Sequence, residues 1–255
     1  MDLNKSKDEF IKYTEKYDLN ESKIEIKQEH SIRVMNISRE IAQELQLSQE
    51  EVDIATLIGL LHDIARFEQF KRYHTFRDAQ SIDHGDLGVE ILNKDIRKYI
   101  ETDKYDELIK LAVKNHNKYK IQEGLDAKQK LFAQIIRDAD KIDIIYEAIG
   151  ILWQKRQNEV EESKITPAIF EQVLKNQLIK SEDRKTILDD VIAIVAFIFD
   201  INFKVSFEIL KNRDYINKML DRYNFKESKT KEQIEEIRKI ANLYIEQKIN
   251  EQIEG

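Results

Sequence analysis

Cysteine is absent from the 255 residues, which removes disulfides and thiolate metal ligands and suits a reducing compartment. Proline occurs once and glycine six times, while 36% of the residues are charged. So few helix breakers, among abundant Lys, Glu, Leu and Ile, predict an all-α fold. Long apolar runs are missing too. The longest, residues 191–199, falls far short of a bilayer span, so it predicts a buried helix and no membrane insertion. The first twelve residues are charged and lack an apolar h-region, so no signal peptide is expected and the expected location is cytoplasmic. Positive charge is in deficit: 42 Lys and Arg stand against 49 Asp and Glu, for a net charge of -7. That argues against general nucleic-acid binding, because a polyanion is drawn to a basic field. A small phosphorylated ligand, held by local cations or a metal, stays open.

Apolar periodicity places the helices. Residues 8–17 form a short amphipathic helix, and 25–45 carry Ile26, His30, Val34, Ile37, Ile41 and Leu45 on one stripe. Ser48 and Glu51 make a capping box that opens the next helix. Residues 52–67 of that helix are apolar on most sides and contain Leu60-Leu61-His62-Asp63-Ile64-Ala65-Arg66. Residues 67–81 are polar and aromatic without a period, and read as a loop across the mouth of a site. A helix resumes near His84. Another, 105–115, aligns Leu108, Ala112 and His116, and a turn follows around Gly124. In 127–149 the residues Phe132, Ile136, Asp140 and Ile144 share a face. From about Trp153 onward the chain is helical and chemically quieter. Thr166-Pro167 starts a helix, 191–199 is central, and 227–253 forms a long terminal helix. This last helix has two candidate partners, the body of the chain or a second subunit in a homodimer. The expected organisation is a metal-binding helical domain over 1–150 and a C-terminal helical extension, 151–255, packed on it.

Five histidines occur: His30, His62, His74, His84 and His116. An imidazole or carboxylate inside an apolar stripe is costly unless it finds a partner. One such histidine is ordinarily a hydrogen-bonded core residue. Here the same explanation would have to be repeated for His30, His62 and His116, and again for Asp63 and Asp140. A metal ion shared among them accounts for all at once, and without cysteine it must be held by imidazoles and carboxylates.

In this the chain resembles the HD superfamily of metal-dependent phosphohydrolases. The matching residues are His30 on one helix, the adjacent His62-Asp63 within Gly59-Leu60-Leu61-His62-Asp63-Ile64, and the distant Asp140 within Arg137-Asp138-Ala139-Asp140-Lys141. The likeness covers about residues 25–150. It implies an HD-domain helical bundle binding a divalent transition metal (Mn, Fe, Co, Ni or Zn) through His30, His62, Asp63 and Asp140. His84 and His116 look like the extra histidines of branches that hold two metals, and would ligate a second ion or face the substrate phosphate. The His-Asp-Ile-Gly-Lys and Gly-Tyr-Pro signature of cyclic-dinucleotide phosphodiesterases is missing, since Ala65-Arg66 stands at the first of these.

The activity implied is hydrolysis of a small phosphorylated metabolite or nucleotide by a metal-bound water. Asp63, Arg66 and Lys141 are the candidate catalytic residues. Arg66, a turn beyond His62, either forks a phosphate or stays a solvated arginine. Lys141 either binds phosphate or pairs with Asp138 or Asp143. Asp138, Glu68 and Asp86 compete as general acid. His74 reads as a surface or lid residue, and Phe70, Tyr73 and Phe76 either pack the loop or stack on a base. The same ligands would also suit a two-metal phosphodiesterase, a di-iron oxygenase or a non-catalytic nucleotide-sensing module.

Overall fold

Helices account for the regular structure, and among the described residues there is no strand. The computed structural model describes residues 1–18, 21–150 and 156–251, which leaves Trp153 and the expected end of the terminal helix at Ile253 outside the described residues. No described helix is long and apolar enough to cross a membrane. The chain divides into two compact units, Met1–Asp140 and Lys141–Gly255.

In the first unit, α1 (Leu3–Thr14) starts at Asp2, whose carboxylate accepts from the Lys5 N–H. It therefore begins and ends earlier than the periodicity of 8–17 suggests. Helices α2 (Ser22–Glu44) and α3 (Gln49–Leu61) pack side by side, and α3 opens on the expected Ser48–Glu51 capping box. These two helices bury Val34, Ile41, Ile54, Leu57 and Leu60 completely. Burying a side chain of this size contributes roughly 1.5–3 kcal/mol.

Two sequence expectations fail just after α3. The helix stops at Leu61 rather than running to residue 67, and α4 (Ala65–Tyr73) occupies ground read as loop. The break lies at His62–Ile64. His62 Nδ1 donates to the Gly59 carbonyl, which meets the hydrogen-bonding need of the helix end from a side chain. Phe67 then turns inward, fully buried, with its ring edge-on to Phe10 at 5.8 Å between centroids. Apolar content alone does not distinguish one bent pair of helices from one long helix. His74 ends α4 in the left-handed conformation (φ 54°), and only residues 74–83 remain as connection, with a short turn at Asp78–Gln80.

Helix α5 (His84–Asp95) is capped by Asp83 and packs on α6 (Asp106–Asn115) and on α4. After the turn at Gly124 (φ +80°), α7 (Ala127–Glu147) buries Phe132 and Ile136 as expected and carries Asp140 on the same face.

The second unit contains α8 (Gln157–Glu162), α9 (Pro167–Leu174), α10 (Ile187–Val195), α11 (Lys204–Asn212), α12 (Tyr215–Asp221) and α13 (Ser228–Glu251). Pro167 does sit in the first turn of α9 behind Thr166. Helix α13 packs against α9, α11 and α12 through Ile234, Ile237, Ala241 and Ile245. The apolar run 191–199 is mostly buried but only partly α-helical, since the backbone tightens to a 3-10 turn over Ala196–Asp200.

Asp189 is the polar anchor of this unit. Fully buried, it accepts from the backbone N–H of Thr166, Lys185 and Thr186 and from the Thr166 hydroxyl. Asp189→Ala is expected to destabilise the protein by about 3 kcal/mol, since several donors lose one charged acceptor at once. Urea unfolding followed by circular dichroism reads this as a lowered midpoint, and an unchanged midpoint would contradict the assignment.

Candidate metal centre

Two close backbone approaches bring the histidines together. A Cβ on Gly59 would lie 2.9 Å from both Met35 Cα and Val34 O, so α2 and α3 touch there with no room for a side chain. The contact places His30 of α2 against His62 at the end of α3, with their Nε2 atoms 3.2 Å apart. A Cβ on Gly85 would lie 2.9 Å from Lys114 O and 2.6 Å from Asn117 Oδ1. Here the start of α5 meets the end of α6, and His84 Nε2 comes 3.0 Å from His116 Nε2. Helix α7 supplies Asp140, whose Oδ1 is 3.1 Å from His30 Nε2 and 3.6 Å from His62 Nε2.

Asp63 lies between these two groups. Its Oδ2 is 3.6 Å from Nε2 of both His30 and His62, and its Oδ1 is 3.4 Å from Nε2 of both His84 and His116. The four histidines and Asp63 are all buried, whereas the Asp140 side chain is 14% exposed and opens the cluster toward solvent. The six residues expected as ligands thus converge, although up to 110 positions separate them (30 to 140).

Proton positions follow from the partners of the other ring nitrogens. His62 Nδ1 faces the Gly59 carbonyl at 2.8 Å, His116 Nδ1 the Val113 carbonyl at 2.6 Å, and His84 Nδ1 the Asp78 carboxylate at 2.6 Å. Each acceptor requires a proton on Nδ1, which leaves a bare lone pair on Nε2 when the ring is neutral. Burial keeps His62 neutral, pushing it below its ordinary value despite Asp63 and Asp140. Burial and the Arg66 charge lower His84 to about 4, against the pull of Asp78. Burial would raise Asp63, but the Lys27 and Arg66 charges hold it well below the carboxylate range. Asp140 is likewise held down against burial, by His30.

The result is a buried set of lone pairs and carboxylate oxygens facing one another. Asp63 Oδ1 has no hydrogen-bond partner, a costly condition for a buried carboxylate oxygen. His30, His62 and Asp140 each offer a ligand atom within 4.8 Å of the others, and so do His62, Asp63 and His116. Imidazole nitrogens with carboxylate oxygens are the donor set of a divalent transition metal, and these residues fit one.

The two cationic candidates have other engagements. Arg66 Nη1 donates to Gln69 Oε1, the Phe76 carbonyl and Asp78 Oδ1, while its Nε lies 3.4 Å from Asp63 Oδ1. The guanidinium, read from the sequence as either a phosphate fork or a solvated arginine, secures the 74–83 loop to the centre. Lys141 belongs to the second unit, where its Nζ pairs with Asp200 Oδ2 at 2.8 Å and lies over the Phe197 ring, neither of which its sequence neighbours suggested. Glu68 accepts from Tyr17 and Arg72, and Asp86 pairs with Lys118. His74 is exposed beside the Phe70 ring, and Phe70 and Phe76 pack on each other at 5.1 Å.

Two site residues escaped the sequence reading. Lys27 Nζ lies 2.9 Å from Asp63 Oδ2 with only 16% of its side chain exposed. Its signal was present, because it precedes His30 by one turn on the same face of α2. Asp78, which faces His84, lies in a loop without periodicity and gave none.

The family model of the HD domain matches residues 28–145. No curated protein and no solved structure matches the chain.

Proposed function

An HD domain occupies residues 28–145, and from this we propose that the chain is a metal-dependent phosphohydrolase that cleaves a small phosphorylated metabolite or nucleotide. The observation that carries the reading is Asp63. Its Oδ2 faces His30 and His62, a pair completed by Asp140, and its Oδ1 faces His84 and His116. Although the His62 and His116 rings also touch, at 5.0 Å between centroids, a carboxylate with one oxygen toward each pair favours two neighbouring divalent cations over one. Cations held there would activate a water for attack on phosphorus and draw charge from a phosphoryl oxygen. The chain's own residues prepare the place. His30, His62 and Asp140 would hold one cation, His84 and His116 the other, and Asp63 would serve both. Lys27 and Arg66 flank the Asp63 carboxylate, and together with the cations held there they would make the centre positive, which suits a phosphate dianion. Burial of the imidazoles excludes bulk water, and the partly exposed edge at Lys27, Arg66 and Asp140 leaves the phosphate a way in.

The test is phosphate release from a panel of nucleotides and phosphomonoesters by protein loaded with Mn, Co, Ni or Mg. At least one substrate should turn over, and His62→Ala should reduce the rate about 10³-fold, the loss of several kcal/mol of charge stabilisation. Release no faster than that of the His62→Ala control with every metal would refute the reading.

A further inference from the structure

His62 and His116 orient their rings alike, each sending Nδ1 to the carbonyl three residues back in the helix it ends. His84 has no such option. It is the first residue of α5, so no helical turn precedes it and the partner of its Nδ1 must come from elsewhere. That partner is Asp78 Oδ2, at 2.6 Å, from the loop joining α4 to α5.

Asp78 is itself tightly held. Its Oδ1 accepts from Arg66 Nη1 at 3.1 Å and Gln69 Nε2 at 2.9 Å, and its Oδ2 also accepts from Asn117 Nδ2 at 3.1 Å. Gln69 is fully buried, and it further donates to Ser81 Oγ and the Ile82 carbonyl. Alongside the ties from Arg66 to the Phe76 carbonyl and from Gln69 to Ser81 and Ile82, the carboxylate that orients His84 is thus one of the points at which the loop is held to the body of the unit.

Building on the two-cation reading, we propose that Asp78 is the positioning residue for the His84 half of the centre. It fixes the His84 tautomer and aims Nε2 at Asp63 and His116, so the 74–83 loop governs occupancy by the second cation. A carboxylate behind a ligating histidine commonly changes metal affinity by 10–100-fold on removal.

Chelator-stripped full-length protein, titrated calorimetrically with Mn(II), provides the test, using wild type, Asp78→Ala and the nearly isosteric Asp78→Asn. Wild type should take two equivalents. Both variants should bind one of these about 10–100-fold more weakly and leave the other unchanged. In ¹⁵N-histidine spectra of the metal-free protein, the His84 signal, assigned with His84→Gln, should report Nδ1–H in wild type and lose that signature in Asp78→Ala. Two equivalents of wild-type affinity in both variants would overturn the role of Asp78 and leave the two-cation reading standing. So would joint weakening of both equivalents in Asp78→Asn, which would indicate general loosening of the centre. A wild type that binds one equivalent would overturn the two-cation reading, and this proposal with it.

Discussion

Asp63→Asn is expected to strip the protein of both cations and to lower kcat/KM by at least about 10³-fold, roughly 4 kcal/mol of transition-state stabilisation. The substitution barely changes shape, so the effect should come from charge. Asp63 reaches both halves of the centre, Oδ2 toward His30 and His62 and Oδ1 toward His84 and His116. It is also the anion that offsets Lys27 and Arg66. Once it is neutral, those two cations repel an incoming metal ion instead of having their charge cancelled. Lys27 and Arg66 keep about a seventh of their side chains exposed (16% and 15%), so their charged heads can recover water and the fold should survive. Elemental analysis after dialysis, with circular dichroism melting beside it, checks the prediction. Wild-type metal content in Asp63→Asn would mean that Asp63 is not a ligand.

Gly59→Ala should destabilise the protein by about 2 kcal/mol, a fall in melting temperature on the order of 4–8 °C, and should weaken metal binding as well. Propensity argues the other way, since alanine in a helix interior gains about 1 kcal/mol over glycine. Sterics should win. The added methyl would meet Met35 Cα and Val34 O at 2.9 Å, and these backbone atoms yield only if α2 moves as a whole. Overpacking of this kind costs about 3 kcal/mol at the upper end of its usual range. Because α2 carries His30 and α3 leads into His62, a shift between them also opens the 3.2 Å approach of the two rings. Thermal melting and Mn(II) titration would read the two effects together. A variant as stable as wild type, with unaltered metal affinity, would show that the helices have slack at this crossing.

Much of the centre was legible in the chain. His30 and Asp140 were visible because each interrupts an apolar stripe, and His116 because it ends one; a stripe reports which face of a helix turns inward. His62 and Asp63 stood out as polar neighbours inside an apolar run. The same rule misled at residues 67–73, where mixed aromatic and charged residues concealed a short helix with Phe67 inward and Lys71, Arg72 and Tyr73 exposed. The two cationic candidates show a different limit. Arg66 and Lys141 were placed by adjacency to ligands, yet Arg66 turns to the Asp78 loop and Lys141 to Asp200.

The sequence by itself determined the all-α character, the capping box at Ser48 and the inward faces of the helices, and it supplied imidazoles and carboxylates as candidate metal ligands. These depend on local periodicity and residue chemistry, which lie along the chain. Only the tertiary structure decided what those residues meet: Lys27 beside Asp63, Asp78 behind His84, and Asp63 shared between two histidine pairs. Periodicity states that a side chain is buried and leaves its neighbour open. The neighbour depends on how closely two helices approach and on the course of the loop between them, and at this centre those were fixed by the contacts at Gly59 and Gly85 and by the buried Gln69.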